Sequence, residues 1–183
     1  MTTATKMNGL DLGQLQDIVD ACTENPDAAQ AKFEVATRWT GATRSESKVE
    51  NWELGGQRLS KDFTIRADEP TELLGGNTAP NPQEYLLSAL NACLLVGYVA
   101  GSSLKGITLE SIEIRSQGQL DLRGFLGLAP VPPGCPEFEY TVRIQGNGSA
   151  EDFEEIHQNV QATSPNYFHL TQPIPLRGRL ELV

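Results

Sequence analysis

The longest apolar run in the chain, residues 85–100 within PNPQEYLLSALNACLLVGYVA, constrains the fold more than any other feature. It has sixteen residues and includes Ser88 and Asn91. A helix that crosses a membrane needs about 20 consecutive apolar residues. The run therefore predicts a buried core helix and no membrane partner.

Cys93 lies in the middle of this predicted helix, either as a small core side chain or as a reactive thiol. Asn81 is a favourable N-cap, Pro82 suits the first helical position, and Glu84 stands third, which completes a capping box. Cys93 then lies beyond the first turn of the helix, and the helix dipole acts on a thiol only within that turn. Its apolar neighbours favour the neutral form. The residues alone thus favour a structural cysteine and leave a reactive one open.

Charge and cysteine content narrow the class of protein. The 183 residues carry a formal net charge of −10, and no basic cluster is present, which disfavours nucleic acids and anionic membranes as partners. The three cysteines, Cys22, Cys93 and Cys135, are widely spaced and odd in number. This is typical of a reducing compartment. With no continuous apolar segment near the start, the sequence predicts a cytoplasmic protein.

Residues 1–30 read as a tail and a helical extension, and residues 31–183 as the main domain. Leu12, Leu15, Val19 and Cys22 share one helical face, and Asn25-Pro26 ends that helix. Beyond it, Gly55-Gly56 separates two alternating segments, which predicts a hairpin. A last helix opens at Ser149 with a capping box. The predicted strands are 33–40, 48–54, 57–65, 105–124, 138–145 and 174–183.

This order of strands and helices predicts an α+β domain and not an alternating parallel sheet. Nucleotide-binding glycine loops are missing, so no cofactor is expected. No Cys-x-x-Cys or His-x-x-x-His pair occurs, so no metal site is predicted. His157 is expected at the surface of an acidic helix.

Three stretches resemble the osmotically inducible protein C / organic hydroperoxide resistance (OsmC/Ohr) family over roughly residues 33–183. They are DEPTELLGGNTAPNPQEYLLSALNAC, DLRGFLG and SPNYFHLTQPIPL. The resemblance implies a sandwich of antiparallel sheets around central helices, in an intertwined homodimer. It also implies thiol peroxidase chemistry on organic hydroperoxides, in which a cysteine becomes a sulfenic acid, a second cysteine forms a disulfide with it, and an external thiol reduces the product.

Transferred residue by residue, the family's attacking cysteine falls on Cys93. Its arginine falls on Arg44, with Arg38 as the alternative match. Its glutamate position holds Gln83, with the carboxylate displaced to Glu84, and its second cysteine falls on Ser164. A glutamine cannot ionise and a serine cannot form a disulfide, so the chain departs from the family at both positions.

These departures leave several functions open. One is a one-cysteine peroxidase in which Cys93 attacks, Arg44, Gln83 and Glu84 assist, and a small thiol or Cys135 resolves the sulfenic acid. Another is a binding module with an apolar pocket at the dimer interface. A third is a different thiol chemistry, such as redox sensing. Tyr85, Ser164 and His169 are the expected binding residues around Cys93.

Overall fold

The structure, a computed structural model, describes residues 6–182 and forms two compact units, Met1–Leu86 and Leu87–Val183. Helix α2 (Pro82–Leu104) begins in the first unit and continues in the second. The predicted boundary between extension and main domain, at residues 30 and 31, stays a prediction.

The first unit is built on a four-stranded antiparallel sheet. Its elements are β1 (Lys6–Met7), β2 (Leu10–Asp11), α1 (Leu12–Glu24), β3 (Ala31–Phe33), β4 (Ala36–Gly41), β5 (Arg44–Leu54) and β6 (Gln57–Ala67). Strand β5 is at the centre of the sheet: one side of it pairs with β3 at one end and β4 at the other, and its second side pairs with β6.

Local sequence rules account for the ends of these elements. Asp11 caps α1 by accepting from the Gly13 and Gln14 amides, and α1 ends before Asn25, as predicted. Gly55 and Gly56 both have positive φ, which the tight β5–β6 turn requires. The predicted hairpin is therefore confirmed. The predicted strand over residues 33–40 is interrupted between β3 and β4.

The second unit packs one antiparallel hairpin against helices. Strands β7 (Leu109–Gly118) and β8 (Phe138–Gly146) pair along their length, with α3 (Leu122–Phe125) between them. Helices α4 (Ala150–Thr163) and α5 (Pro165–Thr171) follow. Its core combines α2, α4 and the short segment that leads into β7: Leu90, Leu94, Tyr98, Ile107, Ile156 and Val160.

Two glycines on α2 allow α4 to approach closely. A Cβ added at Gly97 would lie 3.0 Å from Val160 Cγ2, and one at Gly101 would lie 3.2 Å from Ile156 Cγ2. Both partners are buried, β-branched side chains that have little freedom to move away. The spacing of four residues on each helix aligns Gly101 with Ile156 and Gly97 with Val160.

Two sequence predictions on strands are wrong. The strand predicted over residues 105–124 is shorter, because Asp121 accepts from the Arg123 amide and starts α3. The strand predicted over residues 174–183 is not formed by the described residues 174–182, which have no regular structure. Alternation of apolar residues fits an extended chain, but a strand also needs a partner. Val183 lies outside the described residues.

The α+β class with antiparallel sheets is confirmed. At 23 residues, α2 is longer than the predicted apolar run, and its length and composition alone would suit a membrane span. The core helix of a soluble protein meets the same criteria, and Leu90, Leu94 and Tyr98 of α2 are buried in the second unit.

Asp68 organises the loop that leads from β6 to α2. Its carboxylate is almost fully buried. It accepts five hydrogen bonds, from the Thr43 and Thr78 hydroxyls and from the amides of Glu69, Gly76 and Thr78, at 2.7–3.1 Å. The two hydroxyls are the main reason that the pKa of Asp68 lies well below its usual value of 3.8, although burial opposes them. The carboxylate thus joins the turn before Arg44 to the loop before α2.

We predict that Asp68→Asn lowers the melting temperature at neutral pH by several degrees. The new amide NH₂ would face N–H and O–H donors and leave them without an acceptor. The folded-state pKa of Asp68 lies below the unfolded value, so its stabilisation is complete above about pH 4 and is lost as the pH falls further. Thermal melts from neutral to acid pH should show a steeper acid decline for the wild type than for Asp68→Asn.

Asp62→Asn is the matched control, because Asp62 lies exposed on β6. An equal loss in both variants, or an unchanged acid slope in Asp68→Asn, would contradict this role of Asp68.

Candidate functional site

Cys93 and Ser164 meet at the end of the contact between α2 and α4. Cys93 Sγ lies 3.2 Å from Ser164 Oγ. Cys93 is half-buried, and Ser164 is only 6% exposed. The two residues extend the row formed by Gly101 with Ile156 and Gly97 with Val160, since each helix again contributes a residue four positions away. The structure therefore brings together the two positions that the family resemblance assigned to the paired cysteines.

Ser164 is held in place from both sides of the helix junction. It ends α4, where its amide donates to the Val160 carbonyl, and it caps α5, where its Oγ accepts from the Tyr167 amide at 3.3 Å. A hydroxyl oxygen that accepts from an amide keeps its own hydrogen free to donate. Cys93 Sγ is the acceptor that this hydroxyl hydrogen can reach.

The start of α2 forms the predicted capping box. The Asn81 amide donates to Glu84 Oε2 at 2.8 Å, and the Glu84 amide donates to Asn81 Oδ1 at 2.9 Å. Gln83 is exposed beside this cap. The Tyr85 hydroxyl donates to the Arg66 carbonyl and so ties the first turn of α2 to the end of β6. In this unit Glu84 and Tyr85 thus have structural contacts, and their catalytic or binding roles stay predictions.

The two candidate arginines differ in how their guanidinium groups are used. Arg38 donates to Glu46 Oε1 at 2.7 Å, and Arg66 Nε lies 3.4 Å from the other oxygen of Glu46. Arg44, at the start of β5, is exposed, and none of the ion pairs of residues 6–182 involves it. Of the two candidates, Arg44 is therefore the one whose guanidinium does not already pair with a carboxylate.

The remaining predicted residues lie apart from the Cys93–Ser164 contact. Cys135 is half-buried, with its sulfur close to Gly118 at the end of β7, and it forms no disulfide. His169 is exposed on α5, where its ring packs edge-on against Phe168. The structure thus places neither residue against Cys93 Sγ.

Sequence reasoning missed a polar cluster around His157, which is half-buried and not at the open surface as expected. Its Nδ1 hydrogen-bonds the buried Tyr98 hydroxyl, and its Nε2 lies 3.2 Å from Gln161 Nε2, which also donates to Tyr140 at 2.7 Å. Spacing by four on α4 could have paired His157 with Gln161. Tyr98 is 59 positions away in the chain, and no local pattern points to it.

A model of the OsmC-like protein family matches residues 75–177, which is more than half of the chain and includes both Cys93 and Ser164. The chain belongs to the OsmC-like family. The resemblance to this family that the motifs around Cys93 indicated is confirmed.

Solved structures support the OsmC-like fold at low sequence identity. An OsmC-like protein from Mycoplasma pneumoniae is 19% identical, with a TM-score of 0.60 over 76% of this chain and 86% of that one. An OsmC-like protein of unknown function from Vibrio cholerae is 12% identical, with a TM-score of 0.55 over 76% of this chain and 94% of that one. No curated protein sequence matches the chain. At this identity the structures show the fold alone.

The short distance between Cys93 Sγ and Ser164 Oγ predicts that Ser164→Cys forms a disulfide with Cys93 on treatment with diamide. The two sulfurs need to approach by about 1 Å to reach the S–S bond length. Intact mass should fall by two hydrogens, and peptide mapping should locate the bond. Ser149→Cys, at the other end of α4, is the control. A disulfide in the control, or none in Ser164→Cys, would contradict the proximity.

Proposed function

We propose that this OsmC-like protein is a one-cysteine thiol peroxidase that reduces organic hydroperoxides through Cys93. The observation that carries the proposal is the contact between Cys93 Sγ and Ser164 Oγ. It places a hydroxyl beside Cys93 at the position where the family resemblance implies a second cysteine.

Ser164 supports a reactive sulfur at this position. Because its oxygen accepts from the Tyr167 amide, its hydrogen can donate to Cys93 Sγ. The thiolate is the nucleophile in this reaction, and a donated hydrogen bond gives its negative charge a partner. The buried position of Ser164 strengthens this bond by limiting competition from water.

Arg44 is the proposed activating cation, with Gln83 and Glu84 as proposed assisting groups near the peroxide. An unpaired guanidinium can hold the peroxide oxygens and the developing alkoxide. Arg38 is the less suitable alternative, because its guanidinium already pairs with Glu46.

The reaction balances with a small monothiol as reductant. The Cys93 thiolate attacks one peroxide oxygen, the O–O bond breaks, and the alkoxide leaves and takes up a proton to give an alcohol. The resulting sulfenic acid reacts with one thiol to give a mixed disulfide and water. A second thiol displaces Cys93 and leaves as the small-molecule disulfide. No metal or cofactor is required, and the proposed location is the reducing cytoplasm.

We also propose that the protein works as a homodimer. Trp39, Val49, Phe63 and Ile65 share one face of the first unit's sheet, by strand register, and we call this the apolar face. Trp39 is 76% exposed and Phe63 is 63% exposed. Leu176, in the extended C-terminal segment, is 97% exposed. Contiguous apolar surface of this kind is typical of an interface, and a second copy is the partner that the family implies.

The peroxidase proposal predicts rapid sulfenic acid formation at Cys93. After one equivalent of cumene hydroperoxide and a dimedone trap, intact-mass analysis should show one adduct, and peptide mapping should place it on Cys93. Cys93→Ser should abolish the adduct, whereas Cys135→Ser and Cys22→Ser should retain it. Ser164→Ala should slow trapping, because the hydrogen-bond donor to the sulfur is lost.

If Cys93 stays reduced for minutes in excess peroxide, the peroxidase proposal fails and the binding module becomes the better account. A disulfide between Cys93 and Cys135 would instead identify a resolving cysteine and replace the one-cysteine scheme.

The homodimer proposal predicts twice the chain mass by light scattering after size exclusion. Phe63→Ser, on the apolar face, should shift the population towards monomer. Thr64→Asn, on the opposite face of β6, is the control. A monomeric wild type, or equal dissociation in both variants, would contradict the proposal.

A further inference from the structure

A cleft lies between β8 and α4, within the second unit and around the His157 cluster. Its volume is about 780 Å³, within the range of small-molecule sites. Aromatic and aliphatic side chains supply most of its walls: Phe138, Tyr140, Val142, Ile144, Phe153 and Tyr98. Neither Cys93 nor Ser164 contributes to it. The cleft is therefore a different place from the proposed peroxide site.

The polar groups of the cleft form one connected network. His157 stands between the Tyr98 hydroxyl and the Gln161 amide, and Gln161 donates to Tyr140. Because Gln161 fills the acceptor site of the Tyr140 hydroxyl from one side, that hydroxyl keeps a hydrogen to donate into the cleft. The Tyr140 and His157 rings lie 6.2 Å apart and present aromatic surface to the same space.

Apart from His157, the ionisable side chains that line the cleft are tyrosines and glutamates. Glu139 and Glu154 line it, and no lysine or arginine does. Each carboxylate accepts from a glutamine, Gln117 or Gln158, and neither takes part in an ion pair of the described residues. Arg115 and Arg143 pair with Glu113 on the face of the hairpin turned away from α4, and Glu139 stands on that same outer face at the rim of the cleft. Glu154 is the carboxylate that α4 contributes to the lining.

Glu154 lines the cleft from α4 and is exposed to solvent. Burial is the main reason that the pKa of Tyr98 is raised, and the charges of Tyr140 and Glu154 add to it. An anionic ligand would meet this negative potential without a compensating cation. A ligand ammonium would meet a carboxylate and several aromatic faces, the combination that recognises organic cations.

We propose that this cleft binds an organic ammonium with an aromatic body, held by Glu154 and by the aromatic faces of Tyr140 and Phe138. The hydrogen-bonded His157 keeps the floor rigid, because both of its ring nitrogens have partners within the chain. Binding here is independent of the redox state of Cys93.

Three probes of similar size test the charge preference: benzylamine, benzyl alcohol and benzoate, added separately at neutral pH. The readout is the set of His157 ring-proton resonances, which are distinguishable because the chain has two histidines and His169→Gln removes the other. Benzylamine should shift them saturably, benzyl alcohol should bind at least about fivefold more weakly, and benzoate should not bind. Added salt should weaken the binding of benzylamine and leave the binding of benzyl alcohol unchanged.

Glu154→Gln should weaken the binding of benzylamine about fivefold and leave the binding of benzyl alcohol unaffected. Glu151→Gln is the matched control, since Glu151 is exposed one turn earlier on α4 and does not line the cleft. Cys93→Ser should bind benzylamine like the wild type. Equal binding of benzoate, an equal loss in the control variant, or the absence of a saturable shift would each overturn the proposal. The salt series in the wild type tests it without any substitution.

Discussion

The close approach of α2 and α4 through glycine is the constraint on which the second unit depends. Three residue pairs follow one another along this contact at intervals of four residues: Gly101 with Ile156, Gly97 with Val160, and Cys93 with Ser164. At the first two pairs the glycines leave no side chain between the helices, so the buried branched residues fit directly against the α2 backbone. These two contacts therefore also set the distance between Cys93 and Ser164. The sulfur is placed by packing and not by its own short hydrogen bond.

Local rules predicted most of the elements but only part of the site. The capping box of Asn81 and Glu84 and the Gly55-Gly56 hairpin depend on neighbours within a few residues, and both are confirmed. The predicted strand after residue 173 is wrong, because the pattern of alternation contains no information about a partner strand. The proximity of Cys93 to Ser164 came from family resemblance. The residues themselves contain a weaker signal, cysteine and two glycines spaced by four, that favours one close helix contact.

His157 illustrates why the remaining part could not be predicted. Its acidic neighbours Glu154 and Glu155 indicate an exposed helix face, and Glu155 does pair with Lys105 in solvent. The ring itself turns to the other side, where the Tyr98 hydroxyl needs a partner because it is buried. That requirement arises only once α2 and α4 are packed. A buried hydroxyl on one helix therefore determined the position of a histidine on another.

The two candidate sites share α4 but require opposite electrostatics. At Ser164 the helix supplies a hydroxyl donor, and none of the carboxylates of the described residues hydrogen-bonds Cys93 or Ser164, so a negative sulfur can be tolerated. About two to three turns earlier, α4 supplies His157 and Glu154 to a cleft that no lysine or arginine lines and for which we propose a positive guest. The two proposed chemistries are thereby separated along one helix, so that the carboxylate at the proposed ammonium site does not oppose the proposed thiolate. The same packing row that holds Cys93 also positions the cleft, because Val160 stands between His157 and Ser164 on α4 and anchors both to α2.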